Sequence, residues 1–207
     1  MKKLLAALLA CTMIFGLTAC GLGKTTNNWT DEDFTFTSDS EKVEVPLGKA
    51  FIVYEEVSYL TSYTDGSYEE YESEYATNRG LKLGMTFDEF TKLYNVMNGY
   101  AVWEIYTGDS NEYTNFDVYT NQAPSEMYDG TNNNVWLDLG FYKENGKWKQ
   151  LKDVEVQDVW FCDANYDDYD EVVVFGVNFD KWGQVAGISE EHFSYDEDWS
   201  IWQGWTE

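Results

Sequence analysis

Val135-Trp136-Leu137-Asp138-Leu139-Gly140-Phe141, running on through Tyr142-Lys143-Glu144-Asn145-Gly146-Lys147-Trp148, is the stretch that decides the fold. Val135, Leu137, Leu139 and Phe141 occupy every second position, the period of a strand with one buried face. Asn145-Gly146 then supplies two residues that tolerate positive φ, a strong hairpin signal. Two registers are open. A two-residue turn sets Phe141 opposite Gln150 and Leu139 opposite Lys152, apolar against polar. A three-residue loop over Glu144 to Gly146, with a bulge at the glycine, sets Tyr142 opposite Trp148 and Leu139 opposite Leu151. The second keeps the faces consistent and is the expected register.

Working outward, Val154 to Cys162, Val172 to Phe179 and Gln184 to Ile188 read as further strands of a meander. Upstream, Ala101, Trp103 and Ile105 alternate with Val102, Glu104 and Tyr106, and Tyr113 to Thr120 reads as a weaker strand. Gln122 to Asn134 is polar, holds Pro124 and Gly130, and reads as a loop. Phe51 to Tyr63 reads as one strand, with Asp65-Gly66 turning the chain into Tyr68 to Tyr75, which fits a return strand and, through Tyr68, Tyr71 and Tyr75, helical spacing as well.

One segment is helical. Thr86 and Glu89 form a T-x-x-E capping box, and Met85 before it can meet Phe90 as a hydrophobic staple. Phe87, Phe90, Leu93, Tyr94 and Met97 make one apolar face, and Gly99 is placed to stop the helix. These elements predict an α+β fold, an antiparallel β-meander sheet packed with one or two short helices.

The N-terminus gives an address. Lys2 and Lys3 precede the apolar run Leu4 to Phe15, and Leu17-Thr18-Ala19-Cys20 follows. A basic start, a short apolar core and small residues make a secretory signal. With Cys20 immediately after Leu-Thr-Ala, it resembles the bacterial lipobox. That resemblance implies a diacylglyceryl thioether on Cys20 and attachment to a membrane surface, since two or more acyl chains hold firmly. The expected organisation is a signal peptide over 1–19, a lipidated cysteine and flexible tether over 20–42, and one α+β domain over 43–207. The tether, rich in Thr, Asn, Asp and Ser, would reach roughly 25 Å.

The 207 residues carry a formal charge of −25, and loss of Lys2 and Lys3 with the signal takes it to −27. Such a field disfavours nucleic acid and anionic lipid as partners and favours cations or a basic protein. Cys11 leaves with the signal and Cys20 carries lipid. Cys162 is then alone in an apolar run, an inert buried thiol without a disulfide partner.

Two further stretches resemble a known family. Thr77-Asn78-Arg79-Gly80-Leu81-Lys82-Leu83-Gly84-Met85-Thr86 runs into the capped helix, and Asn178-Phe179-Asp180-Lys181-Trp182-Gly183-Gln184-Val185 follows later. Together they resemble the G-M-T, helix, strands, F-D-x-x-G-x-V pattern of BLIP-like folds. That group includes the SmpA/OmlA envelope lipoproteins and β-lactamase inhibitor proteins. The resemblance covers Arg79 to Ile188 and implies envelope assembly and protein binding, mostly without catalysis.

Candidate sites are few. Asp163, Asn165 and Asp167, followed by Asp170 and Glu171, have the alternate spacing with which oxygen ligands wrap calcium, a possible cation site. Position six is Asp168 in place of glycine and position twelve is Val174 in place of glutamate, so the run is not an EF-hand. Otherwise it is an acidic hairpin loop. Trp199, Trp202 and Trp205 read as a tail packed over the core, with an exposed ladder that stacks on sugar rings as the alternative. His192, within Glu190-Glu191-His192, reads as a surface residue. Arg79, the single arginine, reads as a structural ion pair at the helix entry. No nucleophile elbow, phosphate loop or zinc spacing is present, so no enzyme and no bound cofactor are expected.

The expected function is a lipid-anchored envelope protein with a non-catalytic protein-binding or scaffold module. The alternative is a glycan-binding surface lipoprotein. A calcium-dependent module and an acid hydrolase rank lower. The first predicts an exposed aromatic patch on a sheet face, the second coplanar exposed rings, and the last a cleft with paired carboxylates and a raised pKa.

Overall fold

The computed structural model describes residues 28–39, 41–55, 57–62, 65–71, 74–94, 96, 124, 135–152 and 171–193, with the backbone alone of 102–107, 113–116 and 132–134. A 3-10 turn at Asp31–Phe34 opens the described chain. Strands β1 (Thr35–Thr37), β2 (Lys42–Glu44) and β6 (Ala76–Thr77) form a small sheet in the order β2-β1-β6. The large sheet takes β3 (Lys49–Tyr54), β4 (Val57–Ser62), β5 (Tyr68–Tyr71), β7 (Val102–Thr107) and β8 (Tyr113–Phe116). It also holds β9 (Asn132–Glu144), β10 (Lys147–Gln150), β11 (Glu171–Phe179) and β12 (Val185–Phe193). Its order is β5-β4-β3-β12-β11-β9-β7-β8, with β10 on β9, and every pairing is antiparallel. Helix α1 spans Phe87–Leu93. The molecule is α+β.

It is not a simple meander. β12 pairs with β11 on one side and with β3 on the other, so late strands and early strands share one sheet. The core lies between the inner face of the large sheet and a layer made of the small sheet and α1. Phe51, Val53, Leu137, Leu139, Phe141, Phe175, Val177, Phe179 and Ile188 meet Phe34, Phe36, Tyr75, Leu81, Phe90 and Tyr94. The contact is aromatic in kind: Phe36 packs on Phe51 at 4.7 Å, Phe34 on Phe141 at 5.2 Å and Tyr94 on Phe175 at 5.2 Å. Offset and edge-on rings at these separations add to the area they bury.

Several expectations are corrected here. The Asn145-Gly146 turn is a two-residue turn, with φ 51° and 71°, setting Lys147 opposite Glu144 and Gln150 opposite Phe141. The three-residue register therefore fails. Positive φ at both central residues suits the twist of a hairpin. Phe141 does stand opposite Gln150, and the same register brings together two cation–π pairs. Trp148 lies opposite Lys143, with Nζ 5.2 Å from its ring, and Lys149 opposite Tyr142 at 5.4 Å.

Phe51 to Tyr63 is two strands, β3 and β4, folded back at Glu55 with φ 48°. β12 continues past Ile188 to Phe193, and β9 starts at Asn132 inside the expected loop. The helix stops at Leu93, short of Met97. Tyr94 is extended (φ −125°, ψ 143°), stacking on Phe175 and sharing a 3.0 Å hydrogen bond with Thr77 Oγ1. Met97, Gly99 and the strand Val154 to Cys162 lie outside the described residues.

The tether expected over 20–42 does not extend over its described part. From Asn28 onward the chain is part of the fold: Trp29, Phe34 and Phe36 are buried. Arg79 holds this segment in place. Its guanidinium pairs with buried Asp33 (Nε–Oδ1 3.2 Å), donates to the carbonyls of Asn28 (3.1 Å) and Leu93 (3.2 Å), and lies 3.5 Å over the Trp29 ring. The structural ion pair expected for Arg79 is present.

The capping box forms as expected. Glu89 N donates to Thr86 Oγ1 (3.3 Å) and Thr86 N donates to Glu89 Oε2 (2.9 Å). Met85 packs half-buried against the cluster that contains Phe90. Tyr68–Tyr71 is the return strand after Asp65-Gly66.

Candidate functional site

The exposed aromatic surface lies on the outer face of the large sheet. Strand alternation puts Phe51 and Val53 inward and Ile52 and Tyr54 outward. The register then sets Val57 beside Tyr54, Tyr59 beside Ile52 and Tyr68 beside Thr61 on that same outer face. Tyr54 is 45%, Val57 42% and Tyr68 69% exposed. Tyr54 lies over Gly187, where a Cβ would stand 3.1 Å from the ring. The glycine lets the ring rest on the sheet. Tyr59 and Tyr68 meet edge to face, with centroids 6.5 Å apart and planes at 74°. Glu70, on the same face opposite Tyr59, and Glu55 at the hairpin tip border the patch with negative charge.

A second exposed ring stands apart at the β11–β12 turn. Trp182 is 71% exposed with Lys181 Nζ 4.5 Å from its centroid. Asp180 Oδ1 accepts from Trp182 N (2.9 Å) and Gln184 N (2.8 Å), fixing the turn.

The chemistry-bearing cluster lies in a cleft of about 260 Å³ between the 3-10 turn and the sheet, walled by Asp31, Phe34, Lys143, Trp148, Glu171 and His192. His192 is buried, not on the surface. It faces inward on β12 because Ile188, Glu190 and His192 alternate on one face. Its Nε2 is 2.6 Å from Glu190 Oε1 and its Nδ1 is 3.2 Å from Glu171 Oε1. Burial alone would depress its pKa, but the two carboxylates outweigh that and raise it to about 9. Burial likewise raises Glu190, which is wholly enclosed.

Around them, Asp31 Oδ1 accepts from Lys143 Nζ (2.6 Å) and Trp148 Nε1 (2.7 Å), which holds its pKa below the usual carboxylate range. Glu32 and Glu44 share Lys42. The carboxylates of the cleft wall are thus held in ion pairs, and Glu190, the one pushed toward the acid form, lies behind His192.

Of the residues singled out in the sequence, Glu171 opens β11 and is engaged by His192 and Lys143 (3.8 Å). Asp163, Asn165, Asp167 and Asp170 lie outside the described residues, as do Cys20, Cys162, Trp199, Trp202 and Trp205. Among the described residues no three His, Cys, Asp or Glu side chains are arranged to hold a metal ion, and no helix is long and apolar enough to cross a membrane. The sequence reading missed Tyr54, Val57, Tyr59 and Tyr68 as a patch because it took β3 and β4 for one strand. The signal was present in the Glu55-Glu56 pair, which splits two alternating runs.

No family model, curated protein or solved structure matches this chain.

Proposed function

We propose that this chain is a lipid-anchored protein of the bacterial cell envelope, held at the membrane through Cys20, whose domain binds another envelope protein without catalysis, as BLIP-like modules do. The observation that carries this reading is the outward patch of Tyr54, Val57, Tyr59 and Tyr68 on a fixed sheet. Exposed aromatic and aliphatic groups on a rigid face, bordered by charge, are the usual anchors of protein recognition. The edge-to-face geometry of Tyr59 and Tyr68 favours a protein over a sugar, because ring stacking on glycans wants coplanar faces. The ion-paired state of the cleft's carboxylates argues against an acid hydrolase.

The test is in the bacterial envelope. Cys20→Ala should move the protein from the membrane to the soluble fraction. A photo-crosslinking residue at Tyr54, Tyr59 or Tyr68 should give a discrete adduct with one envelope protein. The same residue at exposed Lys82, on the opposite layer, should not. Membrane retention of the Cys20→Ala chain, or equal adducts at all four positions, would overturn the reading.

A further inference from the structure

Tyr68-Glu69-Glu70-Tyr71 is β5, the terminal strand of the large sheet, paired with β4 alone among the described residues. Tyr68, Glu69 and Glu70 are exposed and Tyr71 is half-buried. A strand edge carries backbone N–H and C=O groups that another strand can meet, and proteins usually guard it with lysine, proline or a bulge. β5 has none of these three; its guards are its four-residue length and the charges of Glu69 and Glu70, Glu69 turned to the inner face, which repel an acidic strand and not a basic one. The edge is also held ready. Ser67 N donates to Asp65 Oδ1 (2.8 Å), Ser62 N donates to the Ser67 carbonyl (2.8 Å), and Gly66 takes φ 65°. Tyr71 is seated against Phe51 at 5.6 Å and Tyr75 at 5.8 Å. A strand fixed in this way loses little entropy on pairing.

The side chains say what would pair. Tyr68 and Glu70 project to the outer face, Glu69 and Tyr71 to the inner one. An incoming strand therefore places a basic residue opposite Glu69 on one face and another opposite Glu70 on the other, two consecutive positions. Apolar or aromatic residues flank them, opposite the tyrosines. Because Tyr-Glu-Glu-Tyr reads the same in both directions, parallel and antiparallel partners meet the same order. A second copy of this chain fits badly: antiparallel β5 against β5 sets Glu69 opposite Glu70, and like charges directly opposite destabilise a pair. A net charge of −25 opposes it further.

We propose that the β5 edge receives an extended basic segment of the partner protein, of the pattern apolar-basic-basic-apolar, as an added strand. This rests on the protein-binding reading above and names the partner's contact chemistry. Strand addition draws affinity from main-chain hydrogen bonds and selectivity from alternate side chains.

The probe is a fluorescent Thr-Val-Lys-Lys-Val-Thr peptide titrated into the full chain in neutral detergent micelles. Saturable binding is expected, with loss on N-methylation of the two lysine amides. E69K/E70K should weaken it about tenfold or more, since two cross-strand charge pairs change sign. The same variant should gain binding to Thr-Val-Glu-Glu-Val-Thr. An absence of saturable binding, or binding that persists in E69K/E70K and with the N-methylated peptide, would overturn the proposal. Retained photo-crosslinks at Tyr54 and Tyr59 in that case would mean that a partner docks on the sheet face and not on its edge.

Discussion

At the residue scale, His192 decides how this molecule responds to pH. It sits between Glu190 and Glu171, with Lys143 beyond Glu171 and the edge of Phe34 beside the ring. A histidine whose folded pKa is raised to about 9 stabilises the fold fully below its unfolded value of 6.5, and that contribution is lost as pH climbs to 9. Glu190, raised by burial, acts in the same direction, because its charged form is the costly one. The urea midpoint should therefore fall steadily between pH 6.5 and 9. In His192→Gln the midpoint should be lower at neutral pH, and its fall over that range should be shallower, keeping only the part that buried Glu190 contributes. A flat profile in the parent protein would refute the arrangement.

At the element scale, the β9–β10 hairpin depends on its turn. Gly146 has φ 71°, a region in which a Cβ costs about 1–2 kcal/mol. Nothing stands within 4 Å of a Cβ built there, so the cost is conformational and not a clash. Gly146→Ala should lower unfolding free energy by about that amount in chemical denaturation, with an unchanged dependence on denaturant. The same hairpin shows why register was hard to read. Matching apolar to apolar chose the three-residue loop, whereas the folded pairs are lysine on aromatic, with Asp31 receiving both Lys143 and Trp148. The acid that settles the register lies more than a hundred residues earlier in the chain.

At the scale of the whole molecule, the segment from Asn28 to Thr37 is a wall of the core and not a spacer. Trp29 stacks on Tyr94 at 5.8 Å and packs tilted against Phe141 at 4.3 Å, as Phe34 does against Trp148 at 4.4 Å. Fully burying such side chains contributes about 1.5–3 kcal/mol each. Together Trp29, Phe34 and Phe36 are comparable to the whole stability of a domain, about 5–15 kcal/mol. A chain beginning at Glu41 should lose its cooperative thermal transition, whereas one beginning at Gly21 should keep it; circular dichroism against temperature separates the two. A sharp transition in the shorter chain would show that the segment is dispensable.

Local physics was legible in the residues themselves. The capping box at Thr86 and Glu89, the alternation of Val135 to Phe141 and the presence, though not the register, of a hairpin at Asn145-Gly146 each rest on contacts within a few positions. Composition likewise gave the acidic charge, and the first twenty residues gave an expected address. The rest needed distant partners. Trp29, set among exposed Asn28, Thr30 and Asp31, looks like part of a solvated tether until Arg79 and Tyr94 cover its ring. Glu190 and His192 look like surface until β3 and β11 close on either side of β12. Tertiary structure decided these because burial of a charge is set by what it meets across the fold, and sequence spacing along one strand carries no record of that.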